Sequence, residues 1–361
     1  MRIETTQQEA GQTFAFFDNQ SDAIPQPIRP RMYAFGGLFW FYEYPHPLLC
    51  GPRGPITVLP DHMHEGEVIE PWDLSASFTF AGRTFKEYPT NAQGHQERPQ
   101  IVAWGTVVPE TNEATEAAHV GDPNNVAIER SFGDIGAYDG HRVAVGRVAV
   151  DSTWHHFFDI NLIGDPVAPF PKNEGFKATP DGEKALADIE AYYRNTGMWI
   201  ARHTTQSRLF GAEAWCALHS QPLNMLVSTR RSYSTEERMI IGSLALRNLV
   251  RHIPPCGILV NLLSTIVDGP VPIVPPAPWD HPQPGESVID PSLLMRAALG
   301  ESVLALAQRR QEIERMEPER AIEEISRVTN EGVGAGLRRL GGDVVHYARG
   351  LEQLGRGLGA E

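Results

Sequence analysis

The stretch HRVAVGRVAVDSTWHHFFDINL (141–162) decides our reading of the fold. Its first half is an almost unbroken apolar, β-branched run, which is typical of a strand covered on both faces. The run ends in acids, hydroxyls and histidines. Catalytic and binding groups gather where buried strands end, because the scaffold is rigid there and side chains reach a crevice. The stretch therefore predicts a sheet with a candidate site at one strand end.

Further strands are predicted upstream and helices downstream. Short β-branched or aromatic runs bounded by turn residues are PITVLP (55–60), SASFTFAGRTFKEY (75–88) and PQIVAWGTVV (99–108). The alternation in SASFTF predicts a half-exposed strand. Helix starts are predicted at Thr179–Pro180, at the capping box Ser234 to Glu237 and at Asp290–Pro291, with an interruption near Pro318.

These patterns predict an α/β protein, in which a partial sheet domain is followed by a mainly α-helical C-terminal region. The predicted parts are an extended proline-rich arm (1–45), an α/β sheet domain (46–178), a helical region (179–267), a proline-rich linker (268–289) and C-terminal helices (290–361). The glycines of the closing stretch disfavour an isolated helix, so its helicity should depend on docking.

The bulk composition excludes some function classes. The formal charge of -14 disfavours nucleic acid as a partner, since binding to phosphates needs clustered lysine and arginine. The three cysteines show no disulfide or zinc-site spacing, which favours a reducing, cytoplasmic setting, and Cys50 in HPLLCGPRG lacks the elbow expected around a nucleophile. No apolar run approaches the roughly 20 residues of a membrane span.

The first candidate cluster is PDHMHEGE (60–67). If the preceding strand continues, His62 and His64 share one face, and with Asp61 or Glu67 they could bind a divalent metal such as zinc or iron. The alternative is that both histidines end a strand and bond to loop backbone.

The second cluster is DSTWHHFFD (151–159). His155 and His156 face opposite ways in an extended chain, so one of them could act as a general base. Asp151 or Asp159 would hold its tautomer, and Ser152 or Thr153 would bind substrate. The alternative is that these histidines only pack among the neighbouring aromatic residues.

The phrases HPLL (46–49), GPITVLPDHMHEGE (54–67) and GRVAVDSTWHHFFDINL (146–162) resemble the second half of a domain of the class I glutamine-amidotransferase-like superfamily, in its ThuA-like branch. The resemblance implies a flavodoxin-like parallel sheet with helices on both faces. It also implies that His62, His64 and His155 or His156 lie near the carboxyl-end crevice. The nucleophile elbow of amidotransferases is absent, and only 45 residues precede HPLL. Half the sheet would then come from a second polypeptide or a second copy, because proteins avoid uncovered sheet edges. The alternative is that the chain folds as a smaller β-rich domain that shares only these local phrases.

Two functions follow as hypotheses. In the first, the histidines line a crevice that binds a small polar ligand and hydrolyses a glycosidic or amide bond. In the second, the chain is a structural or assembly subunit that forms a homo-oligomer or completes its fold with a partner.

Overall fold

A computed structural model describes residues 2–4, 26–37, 40–59, 67–107, 130–152, 162–170, 173–227, 232–250 and 291–358 of the 361-residue chain. The chain divides into two compact units. We call Met1–Met32 with Tyr44–Ile200 the sheet unit, and Tyr33–Glu43 with Ala201–Glu361 the helical unit. The division after Ile200 differs from the predicted boundary at 178/179, because the first long helix belongs to the sheet unit. The predicted linker 268–289 lies outside the described residues.

The described strands are short and numerous. They are β1 (Arg2–Glu4), β2 (Gln26–Pro30), β3 (Met32–Gly37), β4 (Trp40–Pro45), β5 (Cys50–Gly51), β6 (Gly54–Pro55), β7 (Val58–Leu59), β8 (Glu67–Ile69), β9 (Ser77–Phe80), β10 (Arg83–Lys86), β11 (Gln100–Val107), β12 (Arg130–Tyr138) and β13 (Val148–Asp151). A curled five-stranded sheet has the order β13-β12-β11-β2-β7, and the pairs β1-β8, β3-β4, β5-β6 and β9-β10 are two-stranded. The predicted arm therefore supplies a sheet strand, because β2 pairs with both β11 and β7.

The mixed α/β class and the helical C-terminal region are confirmed. The parallel, flavodoxin-like arrangement is wrong for the described sheet, because all four of its strand pairs are antiparallel. A parallel pair needs a crossover of a dozen or more residues, usually a helix. Only a turn and a short 3-10 helix, Gly140–Val143, connect β12 to β13, so these strands must run in opposite directions.

The predicted strand in HRVAVGRVAVDST forms only in its second half. The chain makes the 3-10 helix Gly140–Val143, takes a left-handed conformation at Ala144 (φ 59°), and becomes a strand at Val148. The backbone N–H of Val145 donates to the carbonyl of Gly140, which closes this turn. β13 is the edge of its sheet and Val148 is exposed, so the strand is not covered on both faces as predicted.

Helix α1 (Pro180–Ile200) packs into the sheet unit. The predicted start is confirmed, because the hydroxyl of Thr179 accepts the N–H of Gly182 in the first turn. Ile189 and Trp199 are buried. The side-chain amide of Asn195 donates to the carbonyls of Leu48 and Cys50, and these bonds fix the helix against the HPLLC segment.

The helical unit contains α2 (His203–Leu218), α3 (Gln221–Val227), α4 (Thr235–Leu249), α5 (Pro291–Ile313) and α6 (Pro318–Leu358). The capping box Ser234–Glu237 and the starts at Pro291 and Pro318 are confirmed. A glycine of the closing stretch, which disfavours an isolated helix, allows close packing here: a Cβ on Gly336 would lie 2.3 Å from the carbonyl oxygen of Ala297. Within the described ranges, no helix is long and apolar enough for a membrane crossing.

Candidate functional site

A buried aspartate on β12 is the centre of the candidate site. In the pairing of β12 with β11, Ile135 lies opposite Ala103 and Gly133 lies opposite Trp104, so the register skips Asp134. Such a bulge bends a strand and re-aims a side chain, and bulges are over-represented next to active sites. Asp134 is fully buried at 0% exposure. Burying a carboxylate is costly unless hydrogen bonds or nearby groups compensate for lost water, so its surroundings matter.

Ser152, a predicted ligand-binding residue, is bonded directly to Asp134. Its backbone N–H donates to the Asp134 carbonyl oxygen at 3.1 Å. Its hydroxyl lies 3.1 Å from both that carbonyl and the Oδ1 atom of Asp134, and it can donate to either. Ser152 is itself buried. Its position suits it to hold the Asp134 carboxylate in place.

Asp151, a predicted catalytic residue, is bonded to a tyrosine from α1. The hydroxyl of Tyr192 donates to Asp151 Oδ2 at 2.7 Å. Burial, followed by the charge of Asp151, raises the pKa of Tyr192 well above its ordinary value of 10, and Asp134 adds to the effect. Tyr192 is therefore a protonated donor at neutral pH. We call Asp134, Asp151, Ser152 and Tyr192 the Asp134 cluster.

Glu67, a predicted ligand, lies on β8 beside the same strand. The backbone of β8 crosses β12 at Gly133: a Cβ on that glycine would lie 2.1 Å from the carbonyl oxygen of Val68. Only glycine permits this approach. Glu67, the neighbour of Val68, is half-buried. The crossing therefore places the start of β8 one residue away from Asp134 along β12.

The remaining predicted site residues, His62, His64, His155, His156 and Asp159, lie outside the described residues, so their convergence stays a prediction. Among the residues that the structure does describe, no group of three or more His, Cys, Asp or Glu side chains could hold a metal ion. The metal site predicted on His62, His64 and Glu67 is not tested by that observation, since two of its three ligands fall in the gap 60–66.

A second buried network lies at the HPLL phrase, where the sequence reading assigned no chemistry. Arg147 Nε donates to Asp139 Oδ1 at 2.6 Å, and both side chains are buried. The guanidinium also lies over the Trp199 ring, whose edge meets the His46 imidazole at a centroid distance of 5.0 Å. Burial acts to raise the pKa of Asp139, but the adjacent Arg147 holds it below its ordinary value. This network is an ion pair enclosed by aromatic rings.

His46 is a neutral imidazole in this network. Its Nδ1 accepts the backbone N–H of Leu48 at 3.3 Å and so caps the 3-10 helix Pro47–Leu49. Burial lowers the pKa of His46 from 6.5 to about 3; the charge of Asp139 opposes this, and that of Arg147 adds to it. His46 therefore stays uncharged at neutral pH and serves as a structural cap.

Cys50 is buried and disulfide-bonded, so it is not a free nucleophile. Disulfides persist mainly in oxidising compartments. The cytoplasmic setting, which rested on cysteine spacing, therefore stays a prediction without support from this residue.

The sequence reading missed Asp134, Tyr192 and His46. Asp134 stands in SFGDIGAY, whose two glycines lower its strand propensity, and Tyr192 lies 41 residues from its partner. The alternation of Phe132, Asp134 and Gly136 is a weak signal for a strand with one inward acid. Comparison with known proteins supplied no further guide, because no family model, no curated protein and no solved structure matches the chain.

Proposed function

We propose that the sheet unit carries a hydrolase-like site for a small polar ligand, centred on the Asp134 cluster and completed by the histidines of the two neighbouring segments. The observation that carries the proposal is the position of the two residues that flank the histidine segments. Ser152, which immediately precedes the segment 153–161, is bonded to Asp134. Val68, next to the residue that follows the segment 60–66, lies against Gly133.

Chain length limits how far the histidines can be from these anchors. His155 is three residues from Ser152, and His64 is three residues from Glu67. Three residues of fully extended chain span at most about 11 Å. The two flanking residues contact Gly133 and Asp134, which are consecutive in β12. Both histidine segments therefore begin within reach of the buried Asp134 carboxylate. This geometry supports convergence of the two clusters.

The chemistry proposed for such a site is general-base hydrolysis. A histidine imidazole takes a proton from a water molecule, and the water oxygen attacks the glycosidic or amide carbon. The carbon–oxygen or carbon–nitrogen bond of the ligand then breaks, and the imidazolium gives its proton to the leaving oxygen or nitrogen, which restores the neutral histidine. Asp134 or Asp151 stabilises the imidazolium that forms, as a carboxylate beside a histidine base does elsewhere. Tyr192 is a fixed donor that keeps Asp151 in place. Serine, aspartate and tyrosine in one cluster also offer the hydrogen bonds that a polar ligand needs.

A second form of the proposal adds a divalent metal to the site. His62, His64 and Glu67 are the nitrogen and oxygen ligand types that zinc and iron accept. Metal analysis of the purified chain, with His62→Ala and His64→Ala variants as controls, tests this form. A metal that the parent chain binds and that both variants lose supports the metal site. A parent chain that contains no metal and binds its ligand unchanged contradicts the metal site.

Histidine titration by NMR tests the convergence without knowledge of the substrate. We expect Asp134→Asn to lower the pKa of a histidine in 153–161 or 60–66 by about 1, since a nearby carboxylate stabilises the imidazolium. Asp181→Asn is the matched control, because Asp181 is exposed and pairs only with Lys184 within its own helix. Unchanged titration of His62, His64, His155 and His156 in Asp134→Asn and Asp151→Asn would remove the proposed site.

Turnover is then measured on chromogenic nitrophenyl glycosides and nitroanilides. A cleaved probe should lose at least 100-fold in kcat in His156→Ala or His155→Ala, the usual contribution of a general base. We propose a resemblance to the ThuA-like branch only for the sequence phrases 46–49, 54–67 and 146–162, and no glutaminase chemistry.

An assembly role is the second candidate function, and one observation favours it. The eight strand residues of β9 and β10 are all exposed and include three phenylalanines. In this form of the proposal the chain works as a homo-oligomer.

A further inference from the structure

The hairpin formed by β9 and β10 is a tight, regular structure. Phe80 pairs with Arg83 and Ser77 with Lys86, so the two strands are joined by two residues, Ala81 and Gly82. Both have positive φ, 50° and 74°, which is the signature of a type I′ turn. The hairpin therefore has a defined register and a defined pair of faces.

The base of the hairpin is fixed to the sheet unit. The side-chain amide of Gln96 donates to the carbonyls of Leu74 and Tyr88, at 3.0 and 2.8 Å, and so ties both legs together. The Tyr88 ring packs against Tyr138 at a centroid distance of 5.7 Å. Below this base the chain is packed, and beyond it both strands project into solvent.

The two faces of the projecting part differ. On one face Phe78 and Phe85 stack at 5.6 Å, and Phe80 beside them is 71% exposed. On the other face the hydroxyls of Thr79 and Thr84 lie 3.2 Å apart. A lone two-stranded hairpin is only marginally stable in water, and an exposed aromatic face is typical of an interaction surface. The exposed aromatic face of the projecting part is therefore a candidate interaction surface.

We propose that two copies of this chain pair through their β9 strands and form a four-stranded antiparallel sheet. The inference rests on the assembly role proposed above, for which it names the interface, and is independent of the proposed catalytic site. Charge selects the edge: β9 (SFTF) has no charged residue, whereas β10 has Arg83 and Lys86. Charged edges resist pairing, and two β10 strands would place cations side by side. Pairing through β9 keeps these cations on the outer strands.

Side-chain alternation then sets the register. Directly opposite residues of antiparallel strands share a face, so a twofold pairing keeps the aromatic residues of both copies on one face. The register with Thr79 opposite Thr79 of the second copy is the one that also places both phenylalanines of β9 opposite a phenylalanine. In that register Phe78 lies opposite Phe80 of the second copy, so the arrangement is self-complementary, as a twofold interface requires. Directly opposite Cα atoms in antiparallel strands are about 4.5–5.5 Å apart, within the range that a disulfide bridges.

Cysteine cross-linking tests the proposed register. Thr79→Cys and Thr84→Cys are made in a Cys216→Ser background, which removes the exposed free cysteine. Mild oxidation should convert Thr79→Cys largely to a covalent dimer on a non-reducing gel. Thr84→Cys is equally exposed and on the same face, but its two copies would lie about 14 Å apart, three strand spacings, and should not cross-link. Equal cross-linking of the two variants, or none in Thr79→Cys, overturns the pairing.

Light scattering gives a second, non-covalent readout. The full chain should have the mass of a dimer, and Phe78→Ser with Phe80→Ser should have the mass of one chain. Both side chains are exposed, so the circular dichroism spectrum of that variant should remain that of the parent, which shows that the variant is folded. A monomeric parent chain, or a dimer that survives the double substitution, overturns the proposal.

Discussion

Replacing Gly133 by alanine should weaken the contact on which the candidate site depends. The added Cβ would lie 2.1 Å from the Val68 carbonyl oxygen and 2.8 Å from Ile101 Cδ1, whereas ordinary contacts begin at 3.4 Å. β8 and β12 must therefore separate by about 1.3 Å or bend. Inserting a methyl group into a packed interior costs about 1–3 kcal/mol. The overlap is with a backbone oxygen, so the upper end of that range, about 3 kcal/mol, applies. Alanine recovers up to about 1 kcal/mol through its smaller loss of chain entropy, which leaves a net loss near about 2 kcal/mol.

Urea unfolding and hydrogen exchange measure this effect. A loss of about 2 kcal/mol lowers the urea midpoint by about 1 M at an ordinary m-value. The amides of β8 should also exchange faster, because their strand is displaced. Gly146→Ala is the matched control, since nothing lies within 4 Å of its Cβ position, and it should stay within about 0.5 kcal/mol of the parent. A Gly133→Ala protein with unchanged midpoint and unchanged exchange in β8 would refute the crossing and the anchor for His62 and His64.

Three further predictions concern other parts of the chain. Gly336→Ala should destabilise the helical unit by about 2 kcal/mol in thermal unfolding, because its Cβ would lie 2.3 Å from a backbone oxygen of α5; Gly341→Ala, with open space there, should stabilise it by up to about 1 kcal/mol. The pKa of His46 is about 3 in the folded chain and 6.5 in the unfolded chain, so the unfolded chain takes up a proton first as the pH falls. The free energy of unfolding should therefore decrease between pH 6.5 and pH 3, by at most about 5 kcal/mol. His46→Asn should flatten that part of the pH–stability curve. Tyr192→Phe should cost about 1.5–3 kcal/mol in urea, because a carboxylate loses its donor, whereas the exposed Tyr193→Phe should cost under about 0.5 kcal/mol.

Local rules predicted much of the helical structure. The Thr179–Pro180 start and the Ser234–Glu237 capping box depend on residues within one turn, so the sequence shows them directly. The strand β11 followed from its β-branched run. The break between α5 and α6 followed from Pro318.

Long-range contacts could not be predicted in the same way. β12 contains two glycines and an aspartate, which have low strand propensity, and its place in the sheet depends on β8 and β11 packing around it. The first half of the strand predicted over 141–153 forms a 3-10 helix and a turn instead, which the bond from the Val145 N–H to the Gly140 carbonyl closes. For the candidate site, Asp151 and Ser152 were predicted from their position at a strand end. Asp134 and Tyr192 were missed because nothing local connects them to that end.

The irregular pairing of β11 with β12 has a consequence for chain length. Val102 is the extra residue on one strand and Asp134 is the extra residue on the other, so the two insertions cancel and the register is restored beyond them. A deletion of either residue alone would shift one strand by a step and turn its later side chains to the opposite face. A deletion of both would leave a regular ladder. Variants of this protein should therefore keep or lose these two residues together, and a shortened double-deletion variant would be the cleanest scaffold that lacks the central carboxylate.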